Sequence, residues 1–311
     1  MKKKTTLITG SGVIGAYLAK ELLKKKHKII VTSRYIKKNY KNYQFLKIQK
    51  KVQFIKLNIL SKNNISKVLE KYSPDNIFYF SGQSSIAKSL KLKKSTFNSN
   101  FLGAKNFLII LKKKKLKTKF FKANSAYIFY SKNGIVSIKS KISNNQNPYI
   151  KSQIKAFKII RLYRKKGINC YNLIFFQVES PLRAKDFLIK KACIHAKYKK
   201  KINVGNIKTV RDYSWAPEIV KGVYFLTKLS PCDIIFSSGY GISGEQIIKF
   251  AYKENKLNYK KYFKINNNLF RRNEVKTMIG SKNNTNIIKN NFKWKLNTFG
   301  KKLVKKMFKS I

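Results

Sequence analysis

Acidic residues are scarce in this 311-residue chain, where 11 Asp and Glu stand against 71 Lys and Arg for a formal net charge of +60. So basic a balance is typical of nucleic-acid-binding proteins, whose clustered cations neutralise phosphates. Here the lysines are spread along the whole chain, and no basic motif with interleaved aromatic residues stands out. The pattern therefore favours the compositional bias of an AT-rich genome over nucleic-acid binding. Either way, the chain attracts anions, including phosphorylated ligands.

Cysteine, histidine and long apolar runs are also rare. Cys170, Cys193 and Cys232 are scattered without C-x-x-C spacing, which indicates a reducing compartment. With only His27 and His195 besides, we expect no metal site. No apolar run approaches the roughly 18 residues that span a bilayer, so no membrane partner is expected. The basic start of the chain could pass for a signal peptide, but its regularly spaced glycines favour a cytoplasmic strand–turn–helix.

Hydrophobic residues make up 43% of the chain, enough for a full core, and strand-like and helical segments alternate through its first half. The predicted strands are Thr5–Thr9, Lys28–Thr32, Val52–Leu57, Asn76–Phe80, Lys119–Lys122 and Cys170–Phe176, and the predicted helices are Ala16–Lys25, Ile65–Lys71, Phe97–Leu111 and Tyr149–Lys165. Such alternation predicts an α/β fold with a doubly wound parallel sheet. The second half is less regular, with a helix after Pro217 and a strand at Ile234–Ser237.

The segment ITGSGVIG, residues 8–15, connects the first predicted strand to the first predicted helix. Its three glycines permit a tight turn, close approach of the backbone to a pyrophosphate, and packing of the helix on the sheet. The helix N-terminus adds N–H donors and a positive dipole end. G-x-G-x-x-G in this position indicates a Rossmann-type dinucleotide site. Its predicted contacts are Gly10, Ser11, Gly12, Ile14 and Gly15.

The end of the second predicted strand reads TSRY and contains no carboxylate. An acidic residue there would bind a ribose hydroxyl and repel a 2′-phosphate. Arg34 can instead pair with a 2′-phosphate, which favours NADP over NAD.

Several further segments resemble the extended short-chain dehydrogenase/reductases, and more narrowly the GDP-mannose 4,6-dehydratases. They are FSGQSSIAKSL (80–90), FNSNFLGAKNFL (97–108), FFQVESPLR (175–183), GNIKTVRDYSWAPEIV (205–220) and FRRNEV (270–275). The resemblance runs from about Leu7 to Met307, and its E-S-P-x-R and R-D segments are its most specific parts. It implies an NADP-binding Rossmann domain at 1–176 that also receives parts of 205–240. It further implies a smaller C-terminal α/β lobe at 177–311 that binds a nucleotide sugar.

The resemblance also implies the ligands and most of their contacts. The substrate is expected to be a GDP-hexose, namely GDP-mannose or its 4-keto product. Cofactor contacts are expected, besides the glycine turn, at Arg34, Asn58, Ile59, Phe80, Ser81, Gly82, Ser84, Tyr149, Gln153 and Arg183. Substrate contacts are expected at Ser85, Glu179, Arg211, Arg271 and Glu274. Because the family pairs subunits through the helices at 97–111 and 149–165, a homodimer or homotetramer is expected.

The family works through a Tyr-x-x-x-Lys pair, which this chain keeps only in part. In PYIKSQIKAF, residues 148–157, Tyr149 is present and Gln153 occupies the lysine position, because residues i and i+4 share a helix face. Lys151 and Lys155 point to other sides of the helix. The implied lysine holds the nicotinamide ribose and lowers the pKa of the tyrosine, whereas glutamine supplies no charge. Bringing a tyrosine from near 10 to neutrality requires about three units, or roughly 4 kcal/mol.

A second departure concerns the elimination step. The resemblance implies that tyrosinate takes the 4-hydroxyl proton as hydride passes to NADP, that a glutamate helps remove the C5 proton and expel the 6-hydroxyl, and that the hydride returns at C6. Ser125 can hydrogen-bond the sugar oxygen, but Tyr127 occupies the glutamate position. Losing a general acid/base typically costs about 10²–10⁴ in rate. Asn58 replaces an expected aspartate, and Glu245 an expected arginine.

Three functions remain open from the sequence. The first is a lyase of the 4,6-dehydratase type, altered but working. The second is a reductase or epimerase acting on a 4-keto GDP-sugar, since neither reaction expels the 6-hydroxyl. The third is a nucleotide-binding protein that has lost catalysis.

Overall fold

The computed structural model describes residues 3–36, 40–270 and 274–311. The chain forms two compact units. The first comprises the chain up to Tyr130, Lys141–Phe175 and Val220–Ile234, and the second comprises Ser131–Ser140, Phe176–Ile219 and Ile235–Ile311. None of the helices in the described ranges is both long and apolar enough to cross a membrane.

The strands and helices are numbered here in chain order. The strands are β1 Thr5–Thr9, β2 Lys28–Ser33, β3 Gln53–Lys56, β4 Asn76–Tyr79, β5 Lys119–Ser125, β6 Phe129–Tyr130, β7 Ile135–Val136, β8 Lys141–Ile142, β9 Cys170–Phe175, β10 Gln177–Glu179, β11 Ile202–Val204, β12 Val210–Trp215, β13 Asp233–Phe236, β14 Gly241–Ser243, β15 Phe263–Ile265 and β16 Thr277–Gly280. The helices are α1 Val13–Lys24, α2 Lys41–Phe45, α3 Lys62–Tyr72, α4 Ile86–Lys91, α5 Lys93–Phe97, α6 Gly103–Lys113, α7 Pro148–Lys165, α8 Leu188–Lys197, α9 Ala216–Leu226, α10 Gly244–Lys253, α11 Asn286–Phe292 and α12 Gly300–Lys309.

The largest sheet has seven strands in the order β3-β2-β1-β4-β5-β9-β13. The strands from β3 to β9 pair in parallel, for example Leu7 with Ile30 and with Ile77. The six strands predicted in the first half are all present, with ends that differ by no more than three residues. The predicted doubly wound α/β fold is confirmed.

Alternate residues of this sheet pack on opposite sides, because successive side chains in a strand point to opposite faces. On one face, Leu7, Ile77 and Phe120 join a buried cluster with Phe107 of α6 and Ile160 of α7. On the other face, the rings of Phe78, Phe121 and Tyr171 stack across β4, β5 and β9, with centroids 4.5 and 4.3 Å apart.

The long helix predicted at Phe97–Leu111 is wrong as a continuous α-helix. A π-helical turn at Asn98–Leu102 separates α5 from α6. The Ser99 carbonyl in this turn accepts a hydrogen bond from the Tyr79 hydroxyl, 2.7 Å away. A Cβ on Gly103 would stand 2.2 Å from the same hydroxyl. The buried Tyr79 ring therefore requires both the glycine and the carbonyl that the wider turn leaves available.

The predicted loop at 131–147 contains two short strands, β7 and β8. Within the second unit, β7 pairs with β16, which in turn pairs with β12. The core of this unit is formed by α8, α10 and α12 around Trp215. Asp212 of β12 is buried and accepts hydrogen bonds from Ser238 and from the backbone N–H of Gly239. Burial raises the pKa of Asp212, although these hydrogen bonds oppose the shift.

Candidate active site

The glycine turn after β1 lies against the end of β4. Gly10 has a φ of +86°, and its N–H donates to Thr32 O at 3.0 Å. A Cβ on Gly10 would stand 3.3 Å from the Phe80 carbonyl oxygen. The strand order reverses between β1 and β4, and ligands of doubly wound sheets bind at such a crossover.

The N-terminus of α1 fits a phosphate group. Gly12 is the N-cap residue, no side chain caps the helix, and no acidic residue lies in its first turn. A Cβ on Gly12 would meet no atom of the described residues within 4 Å, so packing does not require a glycine here. By contrast, a Cβ on Gly15 would stand 3.1 Å from Gly10 O. Close packing is therefore enough to account for a glycine at position 15. Ser11 is fixed from α2 because Asn42 Nδ2 donates to its carbonyl oxygen at 3.1 Å.

The ends of β2 and β3 carry the residues expected to bind the adenosine half of a dinucleotide. Arg34 is exposed directly after β2. Asn58 is also exposed, but its Oδ1 accepts from Leu60 N at 3.0 Å and so stabilises the turn after β3. Ile59 is buried, and its carbonyl oxygen accepts from Asn106 Nδ2. Arg34 is therefore the side chain of this set best placed to reach a ligand.

The loop after β4 is braced at each end. Ser81 N donates to Thr9 Oγ1 at 3.2 Å, and Asn100 Nδ2 donates to Gln83 O at the same distance. A Cβ on Gly82 would stand 2.2 Å from Asn100 Oδ1.

Phe80 is half-buried and Ser84 is exposed in this loop. Ser85 is the N-cap of α4, where its hydroxyl accepts from Lys88 N. The predicted substrate role of Ser85 thus competes with capping.

The start of α7 positions Tyr149 and Gln153. Asn147 caps the helix by accepting from Tyr149 N at 2.9 Å, and Pro148 follows in the first turn, where a missing N–H costs nothing. Tyr149 and Gln153 are 7% and 5% exposed. Gln153 Oε1 is buried without a hydrogen-bond partner among the described residues. Such atoms are rare in folded proteins, so this oxygen is available to accept a hydrogen bond from a ligand group.

The end of β5 carries the other two predicted catalytic residues. Ser125 is buried, and its hydroxyl oxygen accepts from Tyr127 N at 3.3 Å. Tyr127 lies half-buried in the turn that follows, and α7 packs against both β5 and this turn. The first unit therefore contains all four predicted catalytic residues, on β5, the turn after it and α7.

In the second unit, the E-S-P-x-R segment contains a buried acid–base pair. Arg183 Nε lies 3.7 Å from Glu179 Oε1, and the guanidinium stacks 3.5 Å from the Phe187 ring centroid. Burial raises the pKa of Glu179 to about 7, although Arg183 and Lys190 act against the shift. Glu179 Oε2 and Arg183 Nε have no hydrogen-bond partner in the described ranges. The pair has the capacity to bind a further polar group.

Arg211 and Glu274 also lie together in the second unit. Arg211 donates to Val210 O at 2.8 Å, and another of its nitrogens lies 3.7 Å from Glu274 Oε1. Glu245 accepts from the Tyr259 hydroxyl at 3.0 Å. Arg271 lies outside the described residues.

The sequence model of the family described as GDP-mannose 4,6 dehydratase matches residues 7–307. The chain belongs to this family. A GDP-mannose 4,6-dehydratase of Vibrio cholerae serotype O1 is 26% identical over 272 residues, which cover 82% of this chain and 72% of the relative. GDP-mannose 4,6 dehydratase 2 of Arabidopsis thaliana is 26% identical over 326 residues, with coverages of 98% and 86%.

Solved structures show the same fold. The dTDP-glucose 4,6-dehydratase of Bacillus anthracis, solved in complex with NAD, superimposes with a TM-score of 0.81 at 18% identity, over 99% of this chain and 96% of that one. The family assignment therefore agrees with the observed sheet order.

Some residues that shape the site of this family member are not apparent from the sequence. Asn42 is one, because its contact with Ser11 joins residues 31 positions apart. Ser152 is another: it accepts from Asn100 Nδ2 and donates to Tyr149 O at 2.7 Å. Lys122 of β5 is fully buried. The sequence signal for this burial is its position two residues after Phe120 in the strand KFFKANS, which puts both side chains on the same face of the sheet.

Proposed function

We propose that this chain binds NADP and a GDP-hexose and works as a GDP-mannose 4,6-dehydratase with an altered catalytic pair. The observation that carries the proposal is the buried, unpartnered Gln153 Oε1 one helical turn from Tyr149. A helix position that serves only packing would not keep an unsatisfied amide oxygen, since that costs about 1–3 kcal/mol. We infer that residues 1–176, with parts of 205–240, bind the cofactor and that 177–311 bind the nucleotide sugar.

Cofactor binding would rest on the glycine turn and Arg34. The N–H groups beyond Gly12 would hold the pyrophosphate, with space beside the Gly12 Cα for it to approach. Arg34 would pair with the 2′-phosphate, which is why NADP is preferred in this proposal to the NAD of the Bacillus anthracis structure. When bound, NADP would supply a hydride acceptor and donor.

The chain's own residues would move the protons. Tyr149 would accept the proton of the hexose 4-hydroxyl, with Ser125 hydrogen-bonded to the same oxygen. The amide of Gln153 would bind the nicotinamide ribose. Tyr127 would stand in for the glutamate in removing the C5 proton, which makes elimination the slow step. Arg211, Arg271 and Glu274 would bind the nucleotide of the GDP-hexose.

A product assay tests this proposal. Pure protein is incubated with GDP-mannose and NADP, and the loss of one water is followed by mass spectrometry, with the 4-keto carbon detected by ¹³C NMR. We expect slow formation of the 4-keto-6-deoxy product, and none with Tyr149→Phe. Cofactor and sugar binding without any product would reject the dehydratase and leave the reductase or epimerase and the non-catalytic binding protein.

Tyr127 favours a second candidate, a reductase or epimerase acting on a 4-keto GDP-sugar. A tyrosine in place of the carboxylate is no obstacle there, because neither reaction expels the 6-hydroxyl. The 4-keto product is therefore also offered with NADPH. Loss of absorbance at 340 nm, without turnover of GDP-mannose, would assign the reductase.

A further inference from the structure

Lys122 is a charged residue inside the sheet of the first unit. It is 1% exposed, and no carboxylate lies within ion-pair distance of it in the described part of the chain. Its ammonium instead donates to Ala123 O and lies 5.5 Å from the centroid of the Tyr79 ring. A buried cation without a carboxylate partner is expensive to keep, so a stability role does not account for it.

The strand register places Lys122 on the side of the sheet that α7 covers. Lys122 pairs with Tyr79 of β4 and with Asn172 of β9. Asn172 Nδ2 donates to the Phe157 carbonyl oxygen of α7 at 3.3 Å. Phe157 follows Gln153 by one helical turn. Lys122 therefore lies on the α7 side of the sheet, one strand away from the side chain that contacts the middle of α7.

The ammonium group of Lys122 is directed toward the end of β5 that carries Ser125. The pairing of β4 with β5 stops at Tyr79 and Lys122, whereas β5 continues to Ser125. By donating to Ala123 O, the side chain extends past the end of β4 rather than back along the strand. That end of the sheet is where the glycine turn and the loop at residues 80–83 lie.

We propose that Lys122 supplies from within the sheet the positive charge that the Tyr-x-x-x-Lys motif would place at residue 153. Gln153 would retain the hydrogen bond to the ribose, and Lys122 would provide the field. Lys122 is then a positioning residue, since it acts on Tyr149 and on the nicotinamide without touching the substrate. The inference rests on the proposed cofactor site.

Lys122 has a pKa near neutrality, whereas the titratable groups around it do not. Burial lowers its pKa to about 7. Burial raises the pKa of Tyr79 on β4, and raises that of Cys170 on β9 to about 12. Asp233 reaches Asn172, but it is paired with Arg161 and Arg164. The α6 face presents apolar side chains such as Phe107, and α7 presents Ile160.

The test compares the affinity of the oxidised and reduced cofactors, which requires no turnover. A nearby ammonium disfavours the cationic nicotinamide of NADP⁺ but not neutral NADPH. We expect Lys122→Met to lower the ratio Kd(NADP⁺)/Kd(NADPH) by about three- to tenfold. Lys119→Met is the matched control: it removes a half-buried lysine from the other end of β5, where it donates to Thr227 O, and should leave the ratio unchanged.

Wild-type protein provides a second, mutation-free measurement. Because Lys122 loses its charge as the pH rises, the ratio should fall between about pH 6 and pH 9, and this trend should disappear in Lys122→Met. Lys122→Met should unfold at the same temperature or higher, since exchanging a buried charge for an apolar side chain is neutral or stabilising. An unfolding temperature at or above that of the wild type would therefore exclude misfolding as the cause of a changed affinity ratio.

A swap of the charge completes the experiment. Adding Gln153→Lys to Lys122→Met should restore the ratio, because the charge returns by the other route. A ratio independent of both pH and Lys122 would overturn the inference while leaving cofactor binding intact. Failure to bind either cofactor form would overturn the proposed function together with it.

Discussion

Gly82 and Asn100 are in such close contact that a Cβ on Gly82 would stand 2.2 Å from Asn100 Oδ1. Asn100 is 1% exposed and joins three segments: its Nδ2 donates to Gln83 O and to Ser152 Oγ. Ser152 in turn donates to Tyr149 O. The π-helical turn, the loop after β4 and the first turn of α7 are therefore held by one buried amide.

Because of this contact, replacing Gly82 by alanine should have a different effect from replacing Gly12 by alanine. Gly82→Ala should destabilise the fold by about 1–3 kcal/mol, because the methyl group displaces Asn100 and strands buried polar groups. Gly12→Ala should leave stability unchanged, since its Cβ meets only open space, but should weaken NADP(H) binding by at least about tenfold by blocking the pyrophosphate. Chemical denaturation and fluorescence titration measure the two effects. Equal cofactor affinity in Gly12→Ala would show that no phosphate lies there.

Arg34 should decide the choice of cofactor. Arg34→Ala should weaken NADP(H) binding about tenfold and leave NAD(H) binding unchanged, because only NADP(H) carries the 2′-phosphate. Stability should not change, since the side chain is exposed. Lys28→Ala is the control, as it removes one exposed positive charge from the opposite end of β2. An equal loss of affinity for both cofactors, or in both variants, would mean that Arg34 acts only through the overall positive charge of the protein.

Much of the sheet could be predicted from the sequence because most of its strands, unlike the edge strand β3, are buried on both faces. Thr5–Thr9 is predicted to the residue, and α7 to within one residue at its start. The π-helical turn could not be predicted, because it depends on the hydroxyl of Tyr79, about twenty positions earlier in the chain. In the second unit, short strands such as β10 and β14 depend on pairing with β12 rather than on any pattern of their own.

The candidate site, like the fold, could be predicted from the sequence only in part. Gly10 and Gly12 follow from spacing and from the strand before them, and Tyr149 follows from its motif. The orphaned oxygen of Gln153 could not be derived that way. The burial of Lys122 was indicated only by its phase with Phe120, since burial in a sheet also depends on which helices cover it.

Glu179 should make the stability of the protein depend on pH. Its pKa is raised from the usual value to about 7 by burial, so the folded state binds its proton more tightly than the unfolded state. Stability from this group is therefore fully present below about pH 4.5 and is lost as the pH rises to about 7, by roughly 3 kcal/mol. Glu179→Gln should remove that part of the dependence.

The measurement is the difference in unfolding free energy between the wild type and Glu179→Gln across this pH range. Taking the difference cancels the other titrating groups. Glu245→Gln is the control, because that carboxylate is exposed and bonded to Tyr259. A difference that stays flat with pH would mean that Glu179 is ionised throughout, held by Arg183.

Tyr127→Glu should raise the rate of dehydration. The backbone N–H of Tyr127 binds Ser125 Oγ whatever the side chain, and the half-buried ring leaves room for a shorter group, so the turn after β5 should persist. A carboxylate there restores the general base for the C5 proton, worth about 10²–10⁴ in rate where elimination is slow. Turnover of GDP-mannose is compared with that of Tyr127→Gln, which has the same shape but no basic group. A gain for the glutamate alone identifies proton removal as the missing step. No gain in a folded Tyr127→Glu variant would mean that the chemistry of this site has changed, in favour of the 4-keto sugar reductase or epimerase.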